Sequence, residues 1–319
     1  MSLQKKHTGF AIAIAWPETW CKQSGAWYDG FINRLEISKH HYYKVGHAAL
    51  VLIDDETGRC HYFDFGRYHT PFQHGRARSE KTDDGLKMKS RAKISADKKQ
   101  ILNYEDILTE LQNNAECHGE GAIHASYGRI NFEKALAKAE EMQQQSPIRY
   151  GPFRYKGSNC SRFVNTVLRA GNPDWKSAFK LNFLVPLTPT PMNNVNSFGN
   201  KTTLPKLLPL TFTPSPVADK SKLKGVLPEP KRPGNVTENA QWLAGEGAGS
   251  WFAFEIENHL LKVIRYSVNG VIECVGLFEN KDAIKFLKND KSYKVAYPSN
   301  CKTVSLHVNG SEIRFNRAN

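Results

Sequence analysis

The sequence has 319 residues, which suffices for one large domain or two ordinary ones. Hydrophobic residues make up 40% and charged residues 24% of the chain, as in globular proteins. No apolar run approaches the roughly 18 residues that a membrane helix needs. Lysine and arginine exceed aspartate and glutamate by 44 − 31 = 13. This charge favours anionic partners in general but identifies none of them.

The first predicted element is a buried strand over Gly9–Trp16, the apolar sequence GFAIAIAW. Lys5 and Lys6 precede it, as in a signal peptide, but Pro17 follows where a small-residue cleavage site belongs. We therefore expect a strand and a cytoplasmic protein. The next stretch, 21–35, carries apolar residues at helical spacing and predicts a helix.

Two strands, 47–54 and 59–65, flank the turn sequence Asp-Glu-Thr-Gly and predict a β-hairpin. Residues 86–94 alternate strictly between apolar and basic residues, which predicts a strand with a solvated or protective basic face. Helices are predicted over 104–114, 131–145 and 158–171. This mixture indicates an α+β fold.

Ten of the sixteen prolines lie between residues 176 and 235, together with nine lysines and arginines. Such a stretch favours extended conformations and predicts a strap or linker. Residues 236–319 alternate as strands around a short helix predicted at 282–288, and Gly245–Ser250 reads as a turn rather than a phosphate loop. We predict three parts: a catalytic domain (1–200), a Pro/Lys-rich linker (201–235) and a small α+β domain (236–319) with a binding or structural role.

The six cysteines are scattered, without a C-x-x-C pair, so the sequence encodes neither a zinc ribbon nor a thioredoxin site. Mostly reduced thiols are expected. Cys160 differs from the others because it opens the predicted helix 158–171. There the helix dipole and free backbone N–H groups favour a thiolate. A small buried thiol in the apolar stripe of that helix is the simpler alternative.

A nucleophilic thiol needs a base, and His47 at the head of an apolar strand is the candidate. If the turn closes with Asp54 opposite Arg59, Asp64 lies opposite Ala49 and diagonal to His47 on the same sheet face. Asp64 can then orient the imidazole in a Cys-His-Asp relay. By the same parity His61 points to the other face.

These residues resemble a known family. Gly-His at the head of a strand, an acid on the next strand and a later Asn-Cys-Ser-x-Phe-Val opening a helix are similar to the circularly permuted branch of the NlpC-type, papain-like cysteine peptidases. That branch includes lecithin-retinol-acyltransferase-like and YiiX-type proteins. The resemblance spans roughly residues 8–171 and implies that Cys160 is the nucleophile, His47 the base and Asp64 the orienting residue.

Two departures are visible. YiiX-type proteins more often have Glu at the position of Asp64, and the polar insert near 75–100 has no obvious counterpart. The whole chain, with its Pro-rich segment and terminal β unit, also resembles a bacterial family to which we can attach no substrate.

Three rival interpretations stay open. Cys21 with His47 would give the unpermuted order, although the 26 residues between them leave little chain for the usual layout. A metal hydrolase would draw on scattered histidines, but H-E-x-x-H and H-x-H are absent. A nucleic-acid-binding module would rest on the basic charge alone, without a recognisable binding motif.

The sequence thus predicts a cysteine hydrolase that cleaves an amide in a short or cell-wall-type peptide through an acyl-thioester on Cys160. The same machinery would serve acyl transfer or thioester cleavage. No cofactor is required by this chemistry. Nucleic acid is not the expected partner, and the sequence identifies neither the substrate nor the oligomeric state.

Overall fold

The computed structural model describes residues 7–23, 38–206, 224–280 and 292–318, and the single positions 34, 212, 214, 283, 284 and 287. Within these residues the chain forms two antiparallel sheets and a small third one. No helix in the described residues is long and apolar enough to span a bilayer.

The N-terminal unit is built on a sheet whose strand order is β10-β8-β1-β5-β6-β7-β9. Every residue of the central strand β1 is buried. Its larger side chains, such as Phe10 and Ile12, face one core, whereas Ala11 and Ala13 face the other. The strands of this sheet are β1 (Gly9–Trp16), β5 (His47–Asp54), β6 (Cys60–Gly66), β7 (His74–Arg78), β8 (Ile123–Ile130), β9 (Ile148–Arg149) and β10 (Gly199–Leu204).

Helices cover both faces of this sheet. The alanine side lets two helices, α2 and α3, approach closely, since small residues leave room for helix side chains. The other face carries α1. The five helices with described bounds are α1 (Tyr104–Asn113), α2 (Phe132–Gln144), α3 (Cys160–Ala170), α4 (Trp175–Phe183) and α5 (Pro191–Ser197). Their arrangement confirms the predicted α+β class.

A second sheet forms the C-terminal unit, with strand order β11-β12-β13-β14-β17-β16-β15. Its core contains Phe252, Leu261, Val304 and Phe315. The strands are β11 (Gln241–Ala244), β12 (Gly249–Glu257), β13 (Leu260–Tyr266), β14 (Ile272–Glu279), β15 (Tyr293–Ala296), β16 (Thr303–Val308) and β17 (Ser311–Arg317). A small sheet of β2 (Cys21–Lys22), β3 (Ser38–Lys39) and β4 (Tyr42–Tyr43) lies in the N-terminal unit.

The prediction of a strand at 86–94 is wrong, although the predicted alternation of exposed and buried side chains is present. Lys87, Lys89, Arg91 and Lys93 are exposed and alternate with more buried residues, as predicted. However, side-chain oxygens accept hydrogen bonds from backbone N–H groups of this segment, which would otherwise pair with a neighbouring strand. Glu110 accepts from the N–H groups of residues 89 and 90, and the Asn103 amide oxygen accepts from that of residue 93. The segment is therefore extended and makes only isolated bridges.

The predicted strap is also corrected in part. Residues 175–204 form α4, α5 and β10, and Pro191 occupies the first turn of α5 behind a Thr190 capping box. A proline is tolerated there because its missing N–H would have no helical partner. The boundary predicted at residue 200 falls inside β10, which pairs with β8, so the first unit extends to 204. The middle of the predicted linker 201–235, from 207 to 223, lies outside the described residues apart from two single positions.

Two predicted helices fall largely on undescribed residues. The one at 21–35 is contradicted at its start, because Cys21 and Lys22 pair with Tyr43 and Tyr42 in β4. Residues 24–33 and 35–37 lie outside the described part of the chain. Of the helix predicted at 282–288, the structure describes three positions, all buried in the C-terminal core: Ala283, Ile284 and Leu287.

The expectation of reduced thiols is wrong for one pair. Cys274 and Cys301 form a disulfide, with Cα atoms 6.3 Å apart. Cys274 lies on β14, and Cys301 lies in the turn before β16. Their separation of 27 residues carries no sequence signature. The other four cysteines are free.

Candidate active site

Cys160 is the first residue of α3, as the sequence predicted. The Asn159 side chain caps this helix by accepting a hydrogen bond of 2.8 Å from the N–H of Arg162. Phe163, Val164 and Val167 anchor the helix in the core between α2 and the sheet. The thiol is nearly buried, with 9% of Cys160 exposed.

His47 lies beside this thiol, at the start of β5. Interactions of its ring and of the backbone N–H of Ala48 with the sulfur act against burial on the pKa of the Cys160 thiol. Burial would raise the pKa of the Cys160 thiol, but the hydrogen bond and the charge of His47 outweigh burial and lower it. The site therefore favours a thiolate–imidazolium pair.

Asp64 lies opposite Ala49, in the register predicted from the hairpin. The Asp64 side chain is fully buried, and its Oδ2 lies 3.5 Å from His47 Nε2. Burial alone would lower the pKa of His47, but hydrogen bonding to Asp64 and to Cys160 raises it to about 9. His47 thus lies close to the Asp64 carboxylate, and the pKa values of His47 and Cys160 shift in the directions expected of an imidazole next to a thiol.

A fourth residue, Arg78, escaped the sequence analysis. It lies directly opposite Asp64 on β7, and its Nε and Nη2 donate to the two carboxylate oxygens at 2.9 and 2.5 Å. The Tyr62 hydroxyl donates to the same carboxylate at 3.1 Å. Burial would raise the pKa of Asp64, but the charge of Arg78 and its hydrogen bonds, with those of His47, lower it below its usual range. One signal pointed to such a partner: a carboxylate in an apolar strand needs a cation.

Aromatic rings enclose the site. The Trp16 indole stacks on the His47 ring with centroids 5.8 Å apart and planes 23° from parallel. Tyr68 packs beneath the Arg78 guanidinium, whose carbon lies 3.9 Å from the ring centroid. These rings exclude water and so strengthen the charge interactions among Cys160, His47 and Asp64.

The rival nucleophile Cys21 has different neighbours. Its described polar contacts are with Arg67 Nη2 at 3.4 Å and the Tyr150 hydroxyl at 3.9 Å. The His47 ring pairs with Cys160 instead. Cys21 is thus close to cationic and phenolic groups, and the histidine needed for the unpermuted relay serves the other thiol.

The remaining histidines are dispersed. His61 points away from His47, as predicted, and its Nδ1 lies 3.1 Å from Glu80. His69 bonds Ser250 and Arg76, whereas His124 bonds Thr203. Among the described residues, the one group with three potential metal ligands in reach is Asp84, Cys274 and Cys301. Its two sulfurs are joined in the disulfide, so this group lacks the free thiolates of a metal site.

Two family profiles match separate parts of the chain. A sequence profile described as type VI secretion system effector TseH-like matches residues 11–177. The DUF6695 C-terminal domain profile matches residues 240–318. No curated protein matches the chain.

One solved structure is similar, titled as the crystal structure of the type VI secretion system effector TseH. It has 18% sequence identity and a TM-score of 0.38, and the match covers 63% of this chain and 100% of that one. The first profile spans more than half of the sequence and includes His47, Asp64 and Cys160. The chain therefore belongs to the TseH-like family of type VI secretion system effectors.

Proposed function

We propose that the protein is a cysteine amidase that cleaves an amide bond in a short or cell-wall-type peptide. The observation that carries this proposal is the buried group of Cys160, His47 and Asp64, in which His47 Nε2 lies 3.5 Å from the Asp64 carboxylate and the imidazole lowers the pKa of the Cys160 thiol. A structural cysteine needs neither feature. The resemblance to permuted NlpC-type peptidases supports the same roles for these residues.

The reaction would proceed in two half-reactions. The Cys160 thiolate attacks the substrate carbonyl carbon, and the amide nitrogen leaves after accepting the proton of the His47 imidazolium. An acyl-thioester remains on Cys160. Neutral His47 then takes a proton from water as the water attacks, which releases the acid and returns the proton to the Cys160–His47 pair. Asp64, whose Oδ2 lies 3.5 Å from His47 Nε2, would orient the ring in both steps.

The oxyanion would form at the start of α3. The backbone N–H of Cys160 belongs to the first turn of this helix, where N–H groups have no intrahelical acceptor. We propose that it donates to the developing negative charge. The positive end of the helix dipole favours the same charge.

Membership in a family of secretion effectors supports a substrate outside the cell that makes the protein. The peptides of bacterial cell walls are such a substrate. The net charge of +13 favours adsorption to an anionic polymer of this kind. We propose that the chain is made in the cytoplasm and acts after its export.

Purified peptidoglycan sacculi provide the direct test. The wild-type protein should release new amino termini and new carboxyl termini, identified by mass spectrometry of the soluble fragments. Cys160→Ala and His47→Ala should abolish release, while Cys21→Ala should retain most of it. Release that survives Cys160→Ala, or that is lost in Cys21→Ala alone, would overturn the proposal.

A further inference from the structure

We infer that the C-terminal unit is a working part of this site. In this inference Glu246 is a positioning residue that holds Arg67 against Cys21 and against Tyr150, which packs on the core cluster that contains Cys160. The inference rests on the proposed function and adds to it. Glu246 lies outside the segment matched by the effector profile, in the unit to which the sequence assigned a binding or structural role.

The connection is made by residues 245–248, between β11 and β12. They lie against 67–69 of the N-terminal unit. The Gly247 N–H donates to the Arg67 carbonyl at 3.0 Å, and Ala248 forms a bridge with Tyr68. A Cβ at Gly245 would lie 2.4 Å from the Arg67 carbonyl oxygen. The backbones thus approach so closely that position 245 requires glycine.

This close approach places a carboxylate inside the other unit. Glu246 Oε2 accepts from Arg67 Nη1 at 2.6 Å, and both side chains are buried. Its other oxygen accepts from the N–H of Gln73 at 2.7 Å. The carboxylate therefore has partners for both oxygens, as a buried charge requires.

The Arg67 guanidinium connects Glu246 to the surroundings of the thiols. Its Nη2 donates to the Cys21 sulfur at 3.4 Å and to the Lys22 carbonyl, and its guanidinium carbon lies 4.9 Å from the centre of the Tyr150 ring. Burial raises the pKa of Tyr150, and so do the negative charges of Cys21 and Cys160. Both sulfurs therefore lie within electrostatic reach of one hydroxyl.

Tyr150 is also packed towards the nucleophile. Its ring stacks on Phe65, which stacks in turn on Phe163 of α3, with 6.0 Å between centroids in each pair. Glu246 neutralises the guanidinium that contacts Cys21 and Tyr150. It thereby fixes one wall of the site and keeps a second thiol from competing with Cys160.

The test compares two carboxylate-to-amide changes at contacts between the same two units. Glu246→Gln removes the charge that faces Arg67. The control, Asp84→Asn, removes the charge that faces Arg317 at 3.0 Å, in a pair more than one-third exposed on both sides. Each protein is treated briefly with iodoacetamide at pH 7, the labelled cysteines are mapped by mass spectrometry, and release from sacculi is measured in parallel.

We expect Glu246→Gln to speed labelling of Cys21 by at least about fivefold, because the guanidinium that contacts its sulfur would then carry an unneutralised charge. Sacculus digestion should slow by about tenfold or more through misplacement of the wall. Asp84→Asn should leave both rates within about twofold of the wild type. Equal behaviour of the two variants would overturn the inference. Failure of the wild type to label Cys160 first would instead overturn the proposed function.

If Glu246→Gln does not fold, a double variant tests the same inference. Arg67→Met with Glu246→Leu replaces the buried pair by apolar side chains, an exchange that proteins often tolerate. We expect Cys21 labelling at the wild-type rate, since the cation is gone, but digestion slowed by about tenfold because Tyr150 and Cys21 lose their support. Full digestion by this variant would show that the pair serves stability alone, and would overturn the inference.

Discussion

Arg78 and Asp64 face each other across β7 and β6 and share two hydrogen bonds, of 2.9 and 2.5 Å, in a position closed to solvent. Arg78 Nη2 and His47 Nε2 lie near the same oxygen of Asp64, Oδ2. A carboxylate held by a guanidinium fork cannot rotate freely. We therefore expect the orientation of the His47 ring to depend on Arg78, which is buried.

Arg78→Lys should lower activity although it preserves the charge. Lysine cannot reproduce the two-pronged geometry, so residue 78 would hold Asp64 through one hydrogen bond instead of two, and His47 would be oriented less well. We expect kcat on sacculi to fall by about tenfold or more, with little change in KM. Arg59→Lys is the control, because Arg59 is exposed and pairs with Glu80. An unchanged kcat for Arg78→Lys would refute the orienting role.

Arg78→Ala should be considerably more harmful to folding. It leaves the buried Asp64 carboxylate without its cation, and breaking a buried pair in this way costs about 3–5 kcal/mol. The free energy of unfolding from urea titration should drop by that amount. A loss below about 1 kcal/mol, the range of surface pairs, would contradict the buried assignment.

The rate of amide cleavage should depend on pH through both members of the thiolate–imidazolium pair. The pKa of His47 is about 9, so the proton needed by the leaving amine is lost above that pH and kcat should decline. On the acidic side of the pH–rate profile, the rate should fall as Cys160 becomes protonated, at a pH set by its lowered pKa. In Asp64→Asn the alkaline limb should move to lower pH, since a carboxylate that raises the His47 pKa is gone. An alkaline limb unchanged by this variant would argue against the assignment to His47.

The same groups give folding stability a pH dependence. The pKa of His47 is raised from 6.5 to about 9 by folding, so its contribution is complete below pH 6.5 and is lost as pH rises through 9. The pKa of Asp64 is lowered from 3.8, so its contribution is present above pH 3.8 and is lost on further acidification. The free energy of unfolding, measured by urea titration, should differ more between the wild type and His47→Ala at pH 6 than at pH 10.

Alkylation should distinguish Cys160 from the other free thiols. Burial raises the pKa values of Cys60 and Cys117 to about 12, so both should remain unreactive at pH 7. We expect iodoacetamide to label Cys160 first and His47→Ala to lose this preference. Preferential labelling of Cys21 in the wild type would revive the unpermuted alternative.

A substitution at Gly245 tests the contact between the two units without removing a charged group. Gly245→Ala puts a methyl group 2.4 Å from a backbone oxygen, which must force the units apart. We expect a fall in Tm of several degrees and slower sacculus digestion. Gly234→Ala is the control, because a Cβ there meets nothing within 4 Å. Equal Tm values for the two variants would contradict the close approach.

Binding to nucleic acid should be weak and should disappear as salt is added. The alternating lysines and arginines at 87–93 are exposed on an extended segment without stacking aromatic residues between them. Affinity would then come from counterion release alone. Gel-shift assays from 50 to 300 mM salt measure this. Tight, sequence-dependent binding at high salt would favour the binding-module alternative.

The sequence predicted the hairpin and the cysteine helix well, because both depend on local signals. The turn at 55–58 fixed the register that placed Asp64 opposite Ala49, and Asn159 with Gly171 marked the limits of α3. Once the register was known, parity placed His47 and Asp64 on one face and His61 on the other. Local chemistry thus sufficed for most of the candidate site.

The parts that the sequence did not predict depend on distant contacts. Arg78 is recognised only when β7 pairs with β6, and Glu246 is 179 residues from Arg67. At 86–94 the alternation was real, but side chains on α1 and at Asn103 satisfied backbone groups in place of a strand. The alternation of apolar and basic residues predicts which side chains are buried, but it does not predict which groups hydrogen-bond the backbone.

Trp16 has a stereochemical consequence for any substrate of the proposed reaction. Its indole covers one face of the His47 ring at 5.8 Å. A substrate that approaches this imidazole is therefore restricted to the face that the indole leaves uncovered. We expect peptides that differ only in the L or D configuration of the residue before the scissile bond to be cleaved at different rates, because the indole limits the directions from which they can approach His47.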